Sequence, residues 1–146
     1  MAAETPASTT SATSRRVGYV VAALVNAVLL YLVNVWPGWQ AVPFLTEGMN
    51  DVLDVVNLSL AATVAVNLAY LVYDAAWFTA AGQLVLSVIA LAVAIRLLQV
   101  FPFDFSAYAV DWELVTRVVL GFAVFGSAVG IVASLVKLVR ALVRPT

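Results

Sequence analysis

Residues 17–36 read VGYVVAALVNAVLLYLVNVW, a run of twenty positions without a charged side chain. At about 1.5 Å per residue, a helix of this length spans roughly 30 Å, the thickness of the hydrocarbon core of a bilayer. Lipid offers no hydrogen-bond partners, so a crossing chain must satisfy its peptide groups internally, which a helix does. Arg15 and Arg16 precede the run, as they would precede the apolar core of a secretory signal peptide. The run is longer than such a core, and it ends in Trp36-Pro37-Gly38-Trp39 rather than in small residues suited to cleavage. A first transmembrane helix over 17–36 is the reading.

Three further apolar runs follow. Pro37, Gly38 and Pro43 break the chain into a loop, and Thr46, Asn50 or Asp51 can cap a second helix over 52–73. Asp54 is the one carboxylate in that helix. A short turn at Asp74 leads to a third helix over 76–100, uncharged until Arg96 and ended by Pro102. Asp111 can cap a fourth over 113–143, which has no charge from Val118 to Val136.

Composition agrees with this pattern. The chain has 146 residues, of which 64% are hydrophobic and 10% charged, and its mean hydropathy is +1.06. Soluble domains carry about a quarter charged residues. The alternating segments of an outer-membrane barrel are absent from the sequence. The expected architecture is all-α: one domain over 17–144, built as an integral membrane bundle of four transmembrane helices. Residues 1–16, rich in Ala, Ser and Thr without hydrophobic period, read as a disordered tail.

Four crossings return both termini to one side. Arg15 and Arg16 at one end, with Lys137, Arg140 and Arg144 at the other, assign that side to the cytoplasm. The opposite face holds Glu47, Asp51, Asp54, Asp104, Asp111 and Glu113 against Arg96 and Arg117. Trp36, Trp39, Phe101, Phe103 and Trp112 fall at the outer interface, and Tyr70, Tyr73, Trp77 and Phe78 at the inner one, the depth that amphipathic rings prefer. Abundant Ala and Val, with Arg in excess of Lys, point to a bacterial multi-pass protein of the cell (cytoplasmic) membrane. The sequence Asn34-Val35-Trp36-Pro37 is echoed by Gln99-Val100-Phe101-Pro102. Either the two hairpins repeat, or both helices meet the same interface with an aromatic ring and a helix breaker.

Candidate functional residues fall into groups. The outer charged cluster is Asp54, Arg96, Asp104, Asp111, Glu113 and Arg117. Arg96 lies inside the helix end marked by Pro102, where a charge must pair or snorkel. It either holds an anion or carboxylate at an outer mouth or, as we expect, pairs with Glu113 or Asp111 to tie down the third loop. The intramembrane polar face is Asn26, Asn57, Thr63, Asn67 and Gln83, with Thr79 and Ser87 one helical step either side of Gln83. These side chains should point inward and join helices by hydrogen bonds, each contributing roughly 0.6–2 kcal/mol. Gly126, Gly130 and Ser134, flanked by Ala123 and Ser127, form a small-residue row suited to close helix packing within the chain or with another copy. Lys137, Arg140 and Arg144 share one helical face and serve as the orientation signal, with anionic lipid as an alternative use.

Much chemistry is excluded. Without Cys there is no disulfide or thiolate-metal site, and without His there is neither the usual metal ligand nor the usual general base. Ser127 follows Gly126 directly, so no Gly-x-Ser-x-Gly elbow exists. Tyr73-Asp74 matches half of an intramembrane aspartyl protease pair, but no second aspartate in a Gly-x-Gly-Asp setting accompanies it. There is no Gly-rich phosphate loop and no basic tract for nucleic acid. We therefore expect no catalytic residue, cofactor or metal. The expected function is non-catalytic binding of a partner membrane protein or lipid, with the fourth helix available for self-association. The alternative is a homo-oligomeric channel or small-solute transporter.

Overall fold

A computed structural model describes the backbone of residues 4–143 and the side chains of residues 12–143. It contains helices α1 (Glu4–Asn34), α2 (Met49–Val72), α3 (Ala76–Val100) and α4 (Trp112–Val143), with a short 3-10 turn at Trp39–Ala41. All four helices are long and apolar enough to cross a bilayer, over Ala12–Asn34, Met49–Val72, Ala76–Val100 and Trp112–Val143. The fold is the all-helical, multi-pass membrane bundle that the apolar runs imply.

Boundaries differ where local forces outweigh hydropathy. Helix α1 begins at Glu4, so it takes in most of the stretch expected to be a disordered tail. Once the apolar run has nucleated a helix, adding residues is far cheaper than nucleation, and Ala, Ser and Thr do not stop it. The other end of α1 stops at Asn34 because Pro37 cannot continue a helix. There the chain turns through Gly38, whose φ of 87° favours a residue without a Cβ and whose N–H donates to the Leu32 carbonyl (2.8 Å).

Each helix packs on its neighbour in the chain: α1 on α2, α2 on α3, and α3 most extensively on α4. Among the described residues, no other helix pair packs along its length. The bundle is therefore open, with α1 and α4 at its two edges. Residues buried at the helix crossings include the small Ala23, Ala80, Ala94 and Ser134. This follows from the solvent: lipid tails are as apolar as Leu, so helices associate through close backbone approach rather than by hiding bulky apolar groups.

The larger apolar core lies near the loop end, where Trp39, Met49 and Val52 pack with Val33, Leu53, Leu97 and Val100. The first and third loops are sewn together there by Thr46 N–H to Pro102 O (2.9 Å) and Asp104 N–H to Phe44 O (2.7 Å). At the opposite end, Asp74 in the α2–α3 turn accepts from Arg15 Nε (3.1 Å) and from the Tyr19 hydroxyl (3.0 Å), fastening α1. Arg140 near the end of α4 shares a depression with Tyr73 and Trp77, so Arg15 of α1 and the last turn of α4 lie on the Asp74 side.

Candidate functional site

The outer charged residues do not converge on one point. Arg96 donates through Nη2 to the backbone carbonyl of Asp51 in the first turn of α2 (2.6 Å), not to Glu113 or Asp111 as expected. The adjacent α2 supplies the nearer acceptor, so Arg96 ties α3 to α2 rather than to the third loop. Asp104 accepts from the Ser106 N–H (3.0 Å), closing an Asx turn. Hydrogen bonds from Ser106 hold the Asp104 carboxyl below the usual carboxylate range. The turn is therefore supported at neutral pH and loosens only as acid protonates this carboxyl. Asp111 caps α4 through the Leu114 N–H (3.1 Å). Glu113 pairs with Arg117 one turn along (3.3 Å), and the Arg117 guanidinium lies 4.0 Å above the Phe101 ring. Asp54 is exposed on α2. Each charge thus has a local structural partner or faces outward, and among the described residues no group of acids is placed to hold a metal ion. Arg96→Gln should leave the fold intact and lower stability by about 1 kcal/mol or less, because an exposed hydrogen bond is lost. A larger loss in a detergent unfolding titration would mean that Arg96 does more than tie α3 to α2.

The polar face also resolves into individual roles. Asn26 Nδ2 donates to Ala22 O (2.8 Å), Thr63 Oγ1 to Ser59 O (2.7 Å) and Asn67 Nδ2 to Thr63 O (2.7 Å), each bonding its own helix one turn back. Asn57 does bridge helices. It exchanges two hydrogen bonds with Asn34 of α1, at 2.7 and 2.9 Å. Asn34 entered the sequence reading only as part of the Asn34-Pro37 echo. A signal was present, since it is an amide one turn before the helix-breaking Pro37, at the loop end of a hairpin whose second helix carries Asn57. A second missed contact joins Tyr70 and Gly82. The buried Tyr70 ring lies directly on Gly82, and its hydroxyl donates to Thr79 O (3.1 Å). These residues flank the Asp74 turn, so an antiparallel hairpin brings them to similar depth.

The small-residue row on α4 divides in two. Gly130 faces α3, where a Cβ would come 2.9 Å from Ser87 Oγ, and Ser134 is buried at the same interface. Gly126 packs on no neighbouring helix: beyond its own helical turns, no described atom lies within 4 Å of where its Cβ would be. It opens into a lateral groove of about 630 Å³ between α2, α3 and α4, lined by Ser59, Thr63, Gln83, Ser87, Ala123 and Ser127 among others. Gln83, expected to point inward, is an exposed residue on the wall of this groove. Thus α2 and α3 contribute hydroxyls and an amide, and α4 mostly small residues, Ala123, Gly126, Ser127 and Gly130, with Lys137 at one end.

Lys137 and Gln83 line both this groove and a second depression of about 710 Å³ at the terminal end, whose wall also includes Tyr73, Trp77, Thr79 and Arg140. Arg144 lies outside the described residues. No known protein family, curated protein or solved structure matches the chain.

Proposed function

We propose that this chain is a non-catalytic protein of the bacterial cytoplasmic membrane, with both termini in the cytoplasm, that acts by docking a helix of a partner membrane protein in the α2–α3–α4 groove. The observation that carries this reading is Gly126, a glycine in a helix interior with nothing against it. Glycine costs a helix roughly 1 kcal/mol relative to alanine, and Gly126 serves no packing within this chain. In hydrocarbon, a bare backbone strip is of use to another helix, which can approach closely and gain dispersion contacts. The open edge at α4 leaves room for that helix. The orientation rests on the basic residues that flank the first and fourth crossings.

Gly126→Leu tests this directly. The side chain would enter empty space, so a single copy should lose no stability and gain up to about 1 kcal/mol from helix propensity. Partner retention should be lost when the protein is released from its own membrane in mild detergent and weighed intact. Retention of the same partner by Gly126→Leu would sink the docking reading.

One feature supports a second reading, the homo-oligomeric channel or small-solute transporter. Ser59, Thr63, Ser87 and Ser127 line the groove with hydroxyls. Copies arranged with their grooves toward a common axis would surround a polar path. Intact masses in whole-number multiples of one chain, together with liposome flux abolished by Gln83→Leu, would favour it over docking of a different protein.

A further inference from the structure

We propose that the depression between the start of α3 and the end of α4 holds the phosphate headgroup of an anionic phospholipid. Lys137 and Arg140 stand one turn apart on its wall. Among the described residues neither is in an ion pair, since the pairs formed are Arg15–Asp74 and Arg117–Glu113. The only acid in the neighbouring turn, Asp74, has both carboxylate oxygens engaged by α1 through Arg15 and Tyr19. Two cations therefore face this depression without an anion among the described residues to balance them.

The opposite wall adds to the same field. Helix α3 begins there, with Ala75 at the N-cap and no side-chain cap on its first-turn N–H groups. These free donors, with the positive end of the helix dipole, favour an anion at this position. The depth is right for a headgroup. Trp77 and Tyr73 belong to the aromatic belt, and Lys137 marks the point where the uncharged run of α4 ends. The Tyr73 hydroxyl accepts from Trp77 Nε1 (3.3 Å), which leaves its own proton free to donate. Because Gln83 and Lys137 also line the lateral groove, open space continues from the headgroup site along the helices, where a lipid chain can follow.

Basic pockets between transmembrane helices select anionic headgroups. A zwitterionic lipid also offers a phosphate, but its ammonium would meet the same two cations. The preference should therefore follow net lipid charge. The site does not depend on helix docking, and the protein without any partner should display it.

The test is intact-mass measurement of the purified full-length protein with equimolar phosphatidylglycerol and phosphatidylethanolamine of identical chains. Wild type should retain phosphatidylglycerol about tenfold over phosphatidylethanolamine, and added inorganic phosphate at constant ionic strength should not displace it. Lys137→Gln with Arg140→Gln should bring the two lipids to equal retention. Lys137→Arg with Arg140→Lys should keep the preference, as should Arg16→Gln, which removes a cation on the same side but on α1. Equal retention of the two lipids by wild type, an undiminished preference in the double Gln variant, or its displacement by inorganic phosphate would overturn the assignment.

Discussion

Gly82→Val should be the most damaging single substitution in this protein, lowering stability by about 3 kcal/mol. A Cβ at Gly82 would lie 2.8 Å from both Cε1 and Cζ of Tyr70, and closer still to its hydroxyl. The Tyr70 ring cannot step aside. It is buried, 5.0 Å from the Tyr19 ring and edge-on to Phe78 at 6.0 Å, and its hydroxyl is bonded to Thr79 O. The clash therefore falls on the α2–α3 crossing and, through Tyr19, on α1 as well. Reversible unfolding in mixed micelles measures the loss. A double-mutant cycle identifies its source: Gly82→Ala should be costly in wild type and nearly silent beside Tyr70→Ala. Additive effects would mean that this contact is not what restricts residue 82.

Asn57→Leu should cost about 1–2 kcal/mol and should act on one interface only. The paired amides of Asn34 and Asn57 satisfy each other across α1 and α2, and removing one leaves the other with a polar group facing hydrocarbon. Asn34 retains its bond to Leu30 O (2.9 Å), which limits the damage. Asn34→Leu with Asn57→Leu should therefore recover part of the loss, since no amide then remains unpaired. By contrast, Asn67→Leu should be milder, because Asn67 bonds its own helix and no neighbour depends on it. Unfolding titrations of these variants and of Asn34→Leu alone would rank them. A double variant as unstable as the sum of the singles would show that the amides do not work as a pair.

The contrast between Asn57 and Asn67 shows where sequence reading reached its limit. Both are amides within the same apolar helix, and nothing in their local sequence separates a side chain that bridges helices from one that bonds back to its own turn. The same holds for Gly126 and Gly130. They occupy one helical row, yet one packs on Ser87 and the other opens into a groove. Arg96 was legible as a charge needing a partner, but that partner is a backbone carbonyl, which no side-chain pattern reveals.

The number of long apolar helices and their spans to within a few residues at the loop ends were readable from the chain. Each depends on a local quantity: the length of an uncharged run, the position of a breaker, the transfer of a side chain between water and lipid. Which face of each helix turns inward was not readable, and neither was the open order of the helices. In water an apolar stripe marks the buried face, but in lipid every face is apolar and that signal vanishes. The choice then falls to steric fit and to a few polar bonds between residues distant in sequence, such as Tyr70 on Gly82 and Asn34 with Asn57. Those pairings exist only once the helices are side by side.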